Sequence, residues 1–267
     1  RSRSSPGRVP IEVSNNRIDF TENGVSFEYY TQPRINLVVP SWGPSSGQTI
    51  VTAAGDHFLD TSDLMCRFGS VSTMARFVSP SLITCRSPYG TVSTVSFEVS
   101  NNAADFTDNG VQFQYYEDMR IDEITPSSGP ATGGMTLVTL RGAFIRNTDG
   151  LACRFGMIVV PGQYVSDSVF ECRTPPSSPG ITTLEATLNR LDYTKSGKTF
   201  FFHSETTVRT LIPNYGLDVG GAPVFITGSN FFNSTKLSCR FGSKVVDAVF
   251  LSGNTIYCIT PPQPPGS

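Results

Sequence analysis

The sequence predicts an all-β chain built of tandem β-sandwiches, and three observations carry that prediction. Turn residues are abundant, with 24 Gly and 19 Pro among 267 residues. The runs between the turns are short and rich in β-branched and aromatic side chains, drawing on 19 Phe and 9 Tyr, as expected for strands packed into sheets. Finally, the cysteines recur on a fixed period, which signals an array of like units. At roughly 100–200 residues per domain, the length accommodates one to three domains with ample core.

Charge excludes several classes. Twenty Lys+Arg against 22 Asp+Glu leave a net charge of −2, so the basic footprint of a nucleic-acid binder is missing. With charged residues at 16%, the strong charge bias of a disordered chain is missing too. No run approaches the roughly 18 apolar residues of a membrane span. Without an initiating Met or an apolar leader, Arg1 reads as a processed or trimmed start.

The cysteines fall in pairs 19 residues apart: Cys66 and Cys85, Cys153 and Cys172, Cys239 and Cys258. Corresponding members lie 87 and then 86 apart, and each first cysteine opens the same tetrapeptide, Cys66-Arg-Phe-Gly69, Cys153-Arg-Phe-Gly156 and Cys239-Arg-Phe-Gly242. An even count in a recurring frame favours disulfides in an oxidising compartment. Because each repeat must satisfy its own two thiols, the expected bonds are Cys66–Cys85, Cys153–Cys172 and Cys239–Cys258. Each would close a loop worth about 3 kcal/mol in the chain-entropy account. Free buried thiols are the blander alternative. Zinc is disfavoured by the lack of Cys-x-x-Cys spacing and by the presence of only two histidines, His57 and His203.

The repeat is clearest from Ile121 to His203. It opens on Pro126, Gly129 and Gly133-Gly134, runs through a strand over Met135 to Leu140, then Gly142 and Phe144, and reaches the cysteine strand. After a Pro/Ser loop, 182–189 and 198–203 read as a final strand pair. The preceding unit keeps the order with Pro40, Gly43, Gly47, Gly55, Phe58 and Cys66; the following one has Pro213, Gly216, Gly220, Gly228, Phe231 and Cys239. These residues resemble the IPT/TIG family of immunoglobulin-like domains. The carriers are the Pro-x-x-Gly-x-x-x-Gly opening, the later Gly-x-x-Phe, and Cys-Arg-Phe-Gly with its second cysteine before a proline. The resemblance covers nearly the whole chain. It implies an immunoglobulin-like β-sandwich and a setting in receptor stalks or surface proteins.

The two chain ends read as parts of one divided domain. Glu98-Val-Ser-Asn-Asn102 followed by Asp105 to Tyr116 closes the unit of Cys66, and Glu185 to Asn189 opens the equivalent close of the next. The same tail stands at Glu12-Val-Ser-Asn-Asn16 with Asp19 to Tyr30, one period earlier, where no front half precedes it. The counterpart after Cys258 would fall at position 271, beyond Ser267. The sequence therefore predicts a circularly permuted array. Residues 1–32 act as donor strands, 33–117 and 118–204 are whole IPT-like domains, and 205–267 is a domain lacking its last strands.

A sandwich open in this way exposes core and strand edge, and an isolated strand pair is marginal in water. The expected remedy is donor-strand complementation between copies of the chain, head to tail, which propagates into a filament. Donor residues are Ile11, Val13, Phe20, Val25, Phe27 and Tyr29; acceptor residues are Val224, Phe225, Ile226, Phe241, Val249 and Ile256. About five donor side chains at about 1.5–3 kcal/mol each match the roughly 4–15 kcal/mol that association costs, so backbone pairing decides. The alternatives are a ring, and an excerpt of a longer covalent array, the stalk fragment of a cell-surface, receptor-like binding or adhesion protein.

No enzyme is expected, and no cofactor or metal. Gly43-Pro-Ser45-Ser46-Gly47 matches a nucleophile elbow but coincides with the opening turn of the repeat. Asp108-Asn109-Gly110 and Glu22-Asn23-Gly24 read as hairpin turns rather than calcium loops. Attached glycans are expected partners: Asn233-Ser-Thr235 is a sequon, and Thr174, Ser177, Ser178 and Thr260 are candidate O-linked positions in Pro-rich segments. Those segments otherwise read as stiff connectors. The reading as a whole is an extracellular structural protein that polymerises, or a binding stalk.

Overall fold

The structure is a computed structural model, which describes residues 7–132 and 136–263. The expected features at Arg1, Gly133-Gly134-Met135 and Pro264-Pro265 lie outside the described residues. The described chain is all-β, and divides into two compact units between Met119 and Arg120.

The first unit opens with a two-stranded hairpin, β1 (Gly7–Pro10) and β2 (Ser26–Tyr29). An eight-stranded sandwich follows, made of β3 (Arg34–Val39), β4 (Trp42–Pro44), β5 (Ile50–Asp56), β6 (Met65–Phe68), β7 (Val71–Ser79), β8 (Leu82–Arg86), β9 (Thr94–Ser100) and β10 (Gln112–Tyr116). Its strand order is β3-β5-β8-β7-β6-β9-β10-β4. The order is continuous because β7 belongs to both layers: residues 71–74 pair with β6 and residues 75–79 with β8. A strand that turns the corner between sheets is a standard device of sandwich architecture.

The second unit repeats this plan in β11 (Arg120–Thr125), β12 (Ser128–Pro130), β13 (Leu137–Ala143), β14 (Ala152–Phe155), β15 (Ile158–Ser166), β16 (Val169–Arg173), β17 (Gly180–Thr187) and β18 (Thr199–His203). It then adds a five-stranded sheet of β19 (Thr207–Ile212), β20 (Pro223–Ser229), β21 (Ser238–Phe241), β22 (Lys244–Ser252) and β23 (Thr255–Ile259), in the order β19-β20-β23-β22-β21. Here β21 has one neighbour among the described strands, whereas β6 and β14 each have two.

The repeated residues have local reasons. Gly55, Gly142 and Gly228 sit where a Cβ would come within 2.0, 1.8 and 1.9 Å of the carbonyl oxygens of Arg34, Arg120 and Thr207, so only glycine fits under the first strand of each sandwich. Cys66–Cys85, Cys153–Cys172 and Cys239–Cys258 are bonded, each joining the two layers across the corner strand. In the first sandwich the core around the bond is aromatic, with Phe68 packed edge-on against Phe97 and Phe113 at 5.0 and 5.1 Å. Phe155, Phe200 and Phe202 form the equivalent cluster in the second.

One expected turn is different. The return from β9 to β10 is made at Asn102, whose Oδ1 accepts from the amides of Ala104 and Asp105, with Ala103 at φ 59°. Asn109-Gly110 lies further along, in the returning leg. There the Asn109 side chain accepts the Ile35 amide and Gly110 takes φ 72°. The Asx turn captures the reversal because its side chain supplies the turn's own acceptor, leaving Asn-Gly as an irregularity in the leg.

Candidate interaction surfaces

Two surfaces expose apolar side chains that the whole sandwiches bury. The first is one face of the hairpin. Val9 lies opposite Phe27, and Gly7 opposite Tyr29. The pairing continues beyond the strands through the Ile11 amide to the Val25 carbonyl and the Thr21 amide to the Val13 carbonyl. Alternation therefore places Val9, Ile11, Val13, Val25, Phe27 and Tyr29 on a single face, and all six are exposed. Phe27 is 49% exposed, while Phe113, one period later, is 0%. Expected donor residue Phe20 stands off this face, in the loop between the strands, and is also exposed.

The hairpin is a copy of β9–β10 in its internal geometry. The pairs Val9–Phe27 and Arg8–Glu28 match Val95–Phe113 and Thr94–Gln114. Its tip is the same Asx turn: Asn16 Nδ2 donates to Asp19 at 2.7 Å, as Asn102 does to Asp105 at 2.8 Å. Even the ring pair is kept, Phe27 against Tyr29 at 5.0 Å and Phe113 against Tyr115 at 5.1 Å, both edge-on. At its base Tyr30 has a pKa above the ordinary tyrosine value, raised by burial and then by the charge of Asp105.

The second surface is the open side of the 207–259 sandwich. A cavity of about 750 Å³ opens there, with Leu211, Tyr215, Leu217, Val224, Phe241 and Pro261 in its lining. Its lip, Tyr215 and Leu217, is 85% and 77% exposed. In the first sandwich the corresponding segment is β4, paired in parallel with β10, and Trp42 packs against Tyr116 at 5.0 Å. Of the expected acceptor residues, Val224, Ile226 and Ile256 are in the core and Phe241 is half-buried. Phe225 and Val249 face the other way, both exposed, with Phe225 packed on Tyr257 instead. They are one residue out of phase with the core-facing set, and strand alternation sends them to the outer face.

Sequence reasoning missed a charged cluster on the cysteine strand. In the first sandwich Arg67 lies opposite Glu98, donates to its Oε2 through Nε at 2.7 Å, and carries its guanidinium 4.0 Å above the ring of Phe106. In the second, Arg154 lies opposite Glu185 and sits 3.8 Å above Tyr193, while Glu185 accepts from Thr194 and Ser196. The signal was present, since the residue after the first cysteine is Arg in all three repeats. The third, Arg240, is exposed on the edge of β21.

The other expected sites divide. Asn233 is exposed in the loop before β21, and Ser178 is exposed with Ser177 half-buried. Thr174 is 1% exposed, so it has no room for a glycan; its segment is a loop inside a sandwich, tied to Thr136 by a backbone bond, rather than a connector. The Thr260 hydroxyl is engaged with the backbone of Ala222. Ser45 and Ser46, in the elbow-like motif, both donate their hydroxyls to Asp118 and so pin the opening turn.

The IPT/TIG domain family matches residues 33–115, 119–202 and 207–267. The chain belongs to that family. It is 25% identical over 249 residues to Fibrocystin-L of Homo sapiens, covering 91% of this chain and 6% of that protein. It is 24% identical over 215 residues to Plexin-A3 of Mus musculus, covering 75% and 11%. Among solved structures, the full extracellular region of Plexin A4 aligns with 88% of this chain and 21% of its own length, at 18% identity and a TM-score of 0.47. The chain thus spans a small part of the relatives it matches. Three disulfides place this IPT array in an oxidising, extracellular setting. No helix among the described residues is long and apolar enough to cross a membrane.

Proposed function

We propose that this IPT array is an extracellular, non-enzymatic adhesion or binding segment, with its sandwiches as spacers and its open sheet faces as points of contact. The observation that carries this reading is the six-residue apolar face of the hairpin, exposed in the register that β9 and β10 bury. A role as spacer is supported by the junction of the last two sandwiches, where Phe232 packs on Phe201 and His203 at 5.7 and 5.0 Å. The similarity to Fibrocystin-L and Plexin-A3 favours the stalk of a receptor-like surface protein. An N-linked glycan on Asn233 fits its exposure; a mass loss on enzymatic deglycosylation, absent from Asn233→Gln, tests it.

A finer reading is favoured by the matching register of the hairpin and the cavity beside Phe241. In that reading the hairpin of one copy completes the 207–259 sandwich of the next, and copies link head to tail into a filament. Negative-stain microscopy of the chain, intact and lacking residues 1–32, separates the two. A stalk stays dispersed as monomers. A polymer forms fibres only when residues 1–32 are present, and fibres from the shortened chain would overturn the donor assignment.

A further inference from the structure

We infer that Arg240 is one half of a clasp whose other half, Glu12 and Phe20, is brought by a second copy of this chain. The clasp presupposes the head-to-tail contact proposed above and sets its register. Its template is the first cluster, Arg67–Glu98–Phe106; the second keeps the strand opposition of Arg154 and Glu185 and the ring of Tyr193, with Glu185 accepting from Thr194 and Ser196 instead. In the first, Cys66 pairs with Val99, Arg67 with Glu98 and Phe68 with Phe97. One period back along the hairpin and two forward along the array, the same ladder sets Cys239 against Val13, Arg240 against Glu12 and Phe241 against Ile11. Phe20 occupies the place of Phe106 in the loop, four residues past Asn16 as Phe106 is past Asn102.

Register is where the clasp acts. The hairpin face carries Val9, Ile11 and Val13 at every second position. A slip of one residue turns that face away from the cavity and is excluded by burial alone. A slip of two in one direction sets Asn15 opposite Cys239 and is disfavoured by the core; in the other it sets Ile11 and Val9 opposite Cys239 and Phe241, and the core discriminates weakly against it. That second slip sets Pro10 opposite Arg240, leaving the arginine without a carboxylate and Glu12 without a cation. A planar guanidinium between a carboxylate and a ring face is satisfied in one register only. Arg240 has no ion pair or ring contact among the described residues, and Glu12 and Phe20 are exposed.

The test is sedimentation velocity of the full chain across a concentration series, with Arg240→Glu, Glu12→Arg and both together. Each single reversal should weaken association by about tenfold or more. The double reversal, which restores opposite charges across the contact, should recover the original affinity to within about threefold. Phe20→Ala should weaken it by about three- to tenfold. Melting of the dilute, unassociated protein should be unchanged by Arg240→Glu, since the side chain is exposed there. If the chain associates but the single reversals have no effect, or the double reversal stays as weak as either single one, the clasp is wrong while head-to-tail contact stands. If the unaltered chain is monomeric at every concentration, the contact and the clasp both fall.

Discussion

The hairpin of residues 7–29 and the pair β9–β10 share ladder, Asx turn and ring pair, yet one is exposed and the other closes a core. Local sequence accounts for everything the two share. Burial is the difference, and burial requires the cysteine strand and opening turn of a sandwich as partners. What a strand pair contributes to stability is therefore a property of its neighbours, since side chains held at the same angles exclude water only when something covers them.

The sharpest way to break that comparison is Phe113→Ala against Phe27→Ala. The first opens a cavity in a filled core and should cost about 3–5 kcal/mol. The second should stay within about 0.5 kcal/mol in the unassociated chain. Denaturant titration, with hydrogen exchange locating the affected strands, reads both, and equal losses would mean that the hairpin is covered in solution. Replacing Cys66 and Cys85 by Ser should remove about 3 kcal/mol from the first sandwich. The same change at Cys239 and Cys258 should leave residues 207–259 open to limited proteolysis at ambient temperature, because five strands offer less core to compensate. Asn102→Ala should cost about 1 kcal/mol by removing a turn acceptor, and Asn16→Ala nothing measurable in the global melt.

A smaller effect at neutral pH, in fact none, is expected from Tyr115. Burial pushes its pKa up to about 12, from an ordinary value of 10.0, and its hydroxyl donates to the Pro88 carbonyl. The raised value means that the folded chain holds this proton longer than the unfolded chain does. Stability from this group is thus complete below pH 10 and declines between about pH 10 and 12. Alkaline unfolding should follow that decline, and Tyr115→Phe should flatten it.

Legibility followed sequence distance and face. The cysteine frame and strand-length runs are near-neighbour signals, and the corresponding sandwiches and bonds are present in the structure. The sides of β20 were not legible, because Val224, Phe225 and Ile226 are all apolar and alternation is invisible in such a run. Thr174 looked like a surface residue from its Pro/Ser company, but its neighbours place it inside. The Arg67–Glu98 pair joins strands that are not consecutive, so nothing local announced it.

By itself the sequence determined the all-β class, the threefold period and the cysteine frame, since each is written in short-range spacing and repeated in three places. Only the tertiary structure decided which apolar residues are covered, where the chain reverses after β9, and which charges meet across the sheet. Those outcomes depend on segments distant in the chain arriving side by side in one sheet. The exposed arginine at position 240 contrasts with Arg67, whose carboxylate and ring both arrive from some thirty or more residues further along the chain.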